Sequence, residues 1–186
     1  MRRLGNLLIL IGTVLLIIFG YQIFEHFTLQ KQSLTEAKDI LSKQYVEDPY
    51  SFTAEYGEII GTMEIPKLGR TLPIVEGTDP DALKKGVGHL SESVFPGQGE
   101  QIVLSGHRDT AFRKFGEIEI GDLFIINMPY GKYTYEIKET EIVPADDTSV
   151  IRKMGEEVLV VTTCYPFRYI GNAPDRFIAY AYPVKK

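Results

Sequence analysis

The chain has 186 residues, 44% of them hydrophobic, and a formal net charge of −5. Acidic residues outnumber basic ones by 25 to 20, and the excess grows once the N-terminal Arg2 and Arg3 are set aside, which argues against nucleic acid as a partner. A single cysteine, Cys164, excludes an intrachain disulfide, so any core must hold without one.

In chain order, the first element predicted is a membrane anchor. Residues 7–24 read LLILIGTVLLIIFGYQIF, without a charge, and about 20 such residues span a bilayer as a helix. Arg2 and Arg3 precede the run, which places the N-terminus in the cytoplasm and the remainder outside. A cleaved signal peptide has an apolar run of about 7–15 residues ending at small residues. This run is longer and leaves through bulky side chains, with Tyr21, Phe24 and Phe27 expected at the interface. With no apolar run near the C-terminus, one crossing is expected. The organisation read from the sequence is a cytoplasmic tail over 1–6, an anchor over 7–24, a stalk helix and linker over 25–56, and a folded domain over 57–186.

Ser33-Leu34-Thr35-Glu36 has the form of a capping box, and Leu34, Ala37, Ile40 and Leu41 follow at helical spacing, so the stalk helix is expected to start at Ser33 and end near Gln44. Tyr45 to Tyr56 is read as a linker. Beyond Gly57 the chain is strand-rich: 61–66, 71–75, 101–107, 122–128, 132–143, 158–163 and 177–184. Within 132–143, Tyr133, Tyr135 and Ile137 alternate with polar residues, as a half-buried strand requires. Between them Asp79-Pro80 and Gly86 punctuate one short helix. Many short strands with turn signals predict an all-β sandwich or closed barrel.

The chemistry concentrates at strand ends. The β-branched run 157–163 delivers Cys164 to the loop Tyr165-Pro166-Phe167, and a rigid strand end holds a nucleophile well. A free thiol with an ordinary pKa near 8.5 is only about 3% thiolate at pH 7, so a nearby imidazole is needed. His107 ends a buried strand in the same way and would favour the thiolate and protonate a leaving amine. Acyl transfer also needs a donor for the developing oxyanion. Arg176, opening the last strand, is always charged and supplies one. For His89, alone in its segment, a hydrogen-bonded structural role is the commoner reading. Asp146-Asp147 offers too few oxygens for a calcium cage, which takes about six or more, so it is read as a solvated loop.

Leu104-Ser105-Gly106-His107-Arg108-Asp109, Thr162-Thr163-Cys164 and Asp175-Arg176-Phe177 resemble, in order and spacing, the His, TLxTC-like and Arg motifs of the sortases, membrane-anchored cysteine transpeptidases of Gram-positive bacteria. Gly88-His89 to Phe95-Pro96-Gly97 is similar to the stretch before the family's histidine strand. The likeness covers about Ile59 to Val184 and is nearest to class D enzymes. It departs at the motif's leucine, where valine stands. It implies a closed eight-stranded β-barrel with short helices, carrying His107, Cys164 and Arg176 at one end. It also implies Thr163 and His89 on the substrate side, no cofactor and no metal. The substrates implied are secreted proteins bearing an LPxT-type sorting signal, and the acceptor a peptidoglycan precursor or other cell-wall amine at the membrane. Two readings compete with it: a hydrolytic cysteine peptidase, and a membrane-anchored binding domain without catalysis. A cell-wall L,D-transpeptidase would place its cysteine in an SHGC-type context, which Thr162-Thr163-Cys164-Tyr165 lacks.

Overall fold

A computed structural model of the chain describes residues 2–184 except 44–47 and 170. One helix, α1 (Arg2–Lys43), is followed by eight strands: β1 (Ile59–Ile65), β2 (Arg70–Glu76), β3 (Val87–His89), β4 (Gln101–Gly106), β5 (Leu123–Met128), β6 (Gly131–Pro144), β7 (Val158–Tyr165) and β8 (Asp175–Pro183). They close into a barrel in the order β1-β2-β3-β4-β7-β8-β6-β5, so the sheet has no free edge. The β2–β3 and β4–β7 pairs are parallel and the rest antiparallel.

The short helix α2 (Pro80–Lys85) forms where its punctuation predicts: Asp79 accepts from the Asp81 and Ala82 amides, and the chain leaves at Gly86. The strand β3 went unread in the sequence. Its three residues are too few to show a period, and it forms because α2 returns the chain parallel to β2.

Strand alternation sorts side chains into two environments. Ile102 and Leu104 of β4, Leu159 and Val161 of β7, and Ala179 and Ala181 of β8 fill the barrel with Phe112, Phe115 and Phe124. The intervening Val103, Val158, Val160, Ile178 and Tyr180 face outward and form a second apolar cluster, covered by Leu90, Val143, Val150 and Met154. Val143 reaches that outer cluster because β6 is not uniform. A register shift between Ile137 and Glu139 inserts one extra residue, which exchanges the strand's two faces. Tyr135 and Ile137 before the bulge point into the core, as their alternation predicts.

The expected start of a separate stalk helix at Ser33 is corrected. Ser33 lies in the middle of α1 and is buried. Residues 25–32 contain neither proline nor glycine to end the preceding helix, so the amides that Ser33 would cap are already bonded within it. The hydroxyls of Thr28 and Thr35 donate back to the carbonyls of Phe24 and Lys31, as they do inside a continuous helix. The apolar stripe itself is present: Ala37 and Ile40 pack on Ile59, Val75 and Ala82. The predicted helix end and linker start, 44–47, fall outside the described residues. Beyond them Phe52 lies edge-on to Phe95 at 5.0 Å and against Tyr130 at 5.1 Å, so this part of the linker is fastened to the barrel.

Candidate active site

The site is built by register. In the parallel β4–β7 ladder Gly106 faces Thr163, so the next residues, His107 and Cys164, leave adjacent strands side by side. In the antiparallel β7–β8 ladder Cys164 faces Arg176. His107, Cys164 and Arg176 thus line one cleft of about 340 Å³, together with Ser105, Thr162 and Thr78. All three belong to the outward-facing set of their strands, in phase with Val103, Val160 and Ile178.

Local chemistry fixes each group. A Cβ on Gly106 would sit 2.5 Å from the ring of Phe112, so only glycine admits the turn in which the Phe112 amide donates to the His107 carbonyl at 2.9 Å. The turn leaves the His107 side chain exposed. Cys164 is half-buried and unpaired with any other thiol. Arg176 donates through Nη1 to the carbonyls of Asp175 at 2.9 Å and Ala173 at 3.4 Å. These acceptors orient the guanidinium without offsetting its charge, in a place where a developing oxyanion would benefit.

Of the two residues assigned to the substrate side, His89 is corrected, whereas Thr163 borders the cleft. His89 is 1% exposed, with Nδ1 2.7 Å from a Glu76 carboxylate oxygen and Nε2 3.0 Å from the Val94 carbonyl. Its ring stacks on Phe95 at 4.5 Å. With both nitrogens engaged and no exposed edge, His89 braces the β3–β4 connection. Burial alone would push the Glu76 carboxyl up, but hydrogen bonds with His89 and Ser91 and the charge of His89 hold it below the usual range. Thr163 points inward, and its Oγ1 donates to the Gly106 carbonyl at 2.8 Å. It ties β7 to β4, and Thr163 and its neighbour Thr162 both line the cleft.

From the cleft a groove of about 240 Å³ continues along the outer face, lined by Val103, Val143, Val150, Ile151, Val160 and Ile178. Thr162, Ser105 and Arg176 border both spaces. These lining residues were missed, although counting back in twos from Cys164 and His107 finds Thr162, Val160, Ser105 and Val103. In the loop after β6, hydrogen bonds from the Ser149 side chain and from its amide, the latter at 2.8 Å, hold the Asp147 carboxyl below the usual range. Among the described residues no three His, Cys, Asp or Glu side chains cluster as a metal site.

Comparison with known proteins identifies the family and agrees with the fold. The Sortase domain family model matches residues 63–184. Sortase D of Bacillus subtilis (strain 168) is 47% identical over 173 residues, covering 87% of each chain. The catalytic domain of B. anthracis SrtD is 43% identical, with a TM-score of 0.61 over 73% of this chain and 94% of that one. The Clostridium perfringens sortase D5 transpeptidase shares the fold, with a TM-score of 0.72 at 24% identity over 85% of this chain and 99% of that one.

Proposed function

Since the chain belongs to the sortase family of cysteine transpeptidases, we propose that it cleaves an LPxT-type sorting signal and transfers the acyl product to a cell-wall amine, with Cys164 as nucleophile. The observation that carries this is the convergence of His107, Cys164 and Arg176 on one rim through the β4–β7–β8 register.

The Cys164 thiolate adds to the scissile carbonyl, and Arg176 stabilises the oxygen that becomes negative. As the C–N bond breaks, His107 gives its proton to the departing amine. The thioacyl-enzyme is then attacked by an acceptor amine, His107 takes the amine's proton, and the C–S bond breaks to release the Cys164 thiolate. The outer groove beside Thr162 supports the reading that an extended peptide is the substrate. Its lining is mostly aliphatic, with Ser105, Thr162 and Arg176 at the end that meets the cleft, so it accepts the apolar part of a signal while the reacting carbonyl lies over Cys164. The C. perfringens sortase C has been solved with the C-terminal cell wall sorting motif, which is the same class of ligand.

Residues Arg3–Tyr21 of α1 form a candidate membrane span, with mean hydropathy 2.3 and none of it buried by protein. Arg2 and Arg3 favour a cytoplasmic N-terminus, which puts the barrel outside the cell, where sorting signals and cell-wall amines meet.

The test uses the full chain in detergent with a sorting-signal peptide, with and without an added amine. Ligated product is expected in its presence. Hydrolysed product alone, whatever amine is added, assigns a peptidase instead, and no cleavage together with survival of function after thiol alkylation assigns a binding domain.

A further inference from the structure

Arg108 follows His107 directly, yet the two side chains part: His107 is exposed and Arg108 is 8% exposed. A guanidinium has five N–H donors, and a buried one that lacks acceptors is costly. Nε donates to the adjacent Asp109 carboxylate at 3.4 Å, and the two Nη groups reach across to the segment joining β7 to β8. Nη1 donates to the Pro166 carbonyl at 3.0 Å. Nη2 donates to the carbonyls of Tyr169 at 2.8 Å and Gly171 at 3.2 Å. The guanidinium carbon also lies 5.8 Å from the centre of the Tyr169 ring, within cation–π range.

Pro166 lies two residues after Cys164 and Gly171 five before Arg176. The segment fastened by Arg108 is therefore the one that leaves the thiol and returns with the guanidinium of the site. It borders an open cavity of about 820 Å³ lined by Arg108, Arg113, Lys114 and Phe167, among others. Its second anchor is Phe167, whose ring packs on Phe177 at 5.1 Å and covers Gly116, where a Cβ would approach that ring to 2.8 Å. Phe167 grips only the start of the segment, whereas Arg108 spans its length. Three carbonyls at i, i+3 and i+5 need a planar fork with several donors, which lysine does not provide.

We infer that Arg108 is a positioning residue: by binding the Pro166, Tyr169 and Gly171 carbonyls it fixes the β7–β8 segment against the strand end that carries His107, and so sets the spacing of His107 from Cys164 and Arg176. The inference rests on the reading of those three as the reacting groups. The groove on the outer face shares no residue with the cavity beside Arg108, so Arg108 acts on rate and not on peptide binding.

The test compares full-length wild type, Arg108→Met, Arg108→Lys and Cys164→Ala in detergent. In Arg108→Met, acyl-enzyme formation is expected to fall by about 10²-fold, the scale for misplacement by about 1 Å, with peptide KM within about threefold of wild type. Amide hydrogen exchange should accelerate across 165–174 and stay unchanged in β1, β2 and β5. Arg108→Lys should recover part of the rate and part of the protection. Should Arg108→Met fail to fold, the lysine variant is decisive through the same two readouts. A rate within twofold of wild type in the folded variant, or a rate loss without faster exchange across 165–174, overturns the inference. Turnover surviving in Cys164→Ala overturns the functional reading beneath it, whereas turnover surviving only in the Arg108 variants overturns the role of Arg108 alone.

Discussion

Cys164 and Arg176 face each other across the antiparallel β7–β8 ladder, a relationship that places their Cβ atoms about 5 Å apart on one face of the sheet. Because both project from paired backbone, their separation is set by strand register and not by a loop. Arg176→Ala is expected to lower turnover by about 10²- to 10³-fold, the scale for losing one oxyanion donor. Arg176→Lys should recover part of it if charge matters more than the planar fork. Single-turnover kinetics on the sorting peptide measure both, and an effect confined to KM would instead make Arg176 a binding contact.

Cys164→Ala should abolish the acyl-enzyme, read by intact mass after mixing with peptide. The chain has no other cysteine, so no second thiol can substitute. The melting temperature should hardly move, since Cys164 faces the cleft and not the barrel interior.

The two histidines of the barrel should separate cleanly. His107→Ala should cost about 10²-fold or more in rate, as for lost acid–base catalysis, with stability near wild type because its side chain is exposed. His89→Ala strands a buried Glu76 carboxylate and should destabilise by about 3 kcal/mol, while the molecules that remain folded turn over normally. Denaturation followed by tyrosine fluorescence, usable because the chain has 11 tyrosines and no tryptophan, tests the stability half. Equal rate losses at both positions would contradict the division of roles.

The Glu76–His89 pair also predicts a pH dependence. The folded carboxyl titrates below its ordinary value, so its stabilising effect is complete above that ordinary value, near 4.5, and is lost as pH falls through the depressed one. Melting temperature should therefore drop on acidification through this window. Glu76→Gln, which has no carboxyl to protonate, should show a shallower decline, and parallel curves for the two proteins would remove the pair from the explanation.

Thr162 and Thr163 should respond in opposite ways. Thr163→Val breaks the hydroxyl's bond to the Gly106 carbonyl and leaves that buried acceptor short of a partner, a loss of about 1–3 kcal/mol in stability. Thr162→Val should leave stability near wild type and change peptide KM. Thermal melts and steady-state kinetics on the two variants decide.

The lining of the cleft shows where sequence reading ran out. The strand, its end and the thiol were legible from the β-branched run before Cys164. A strand's side chains alternate, so Thr162 shares the outward face of Cys164, a parity that identifies it as a second cleft threonine beside Thr163. Other misses had no local signal. The bulge at Lys138 that turns Val143 outward depends on pairing with β8, and the burial of His89 depends on Glu76 across a parallel β2–β3 pair. The Ser33 capping box was a real pattern with the wrong context, since capping requires a helix to begin there. Arg108 sat inside the motif that carries His107, but its acceptors are backbone carbonyls some 60 residues away, which no side-chain pattern reveals.

On the proposed membrane topology, the unbroken run of α1 from the candidate span Arg3–Tyr21 to the stripe at Ala37 changes what an anchor would be mechanically. A flexible tether would let the barrel sample a volume above the lipid surface. A continuous helix advances about 1.5 Å per residue, so Ala37, docked on the barrel, stands about 24 Å along the axis from Tyr21 at the end of the span. It acts as a mast that holds the cleft at one height and tilt. On the proposed function, encounters with a signal emerging from the same membrane would then become a search in two dimensions, in which substrates presented at another height are missed however well their sequence fits the groove.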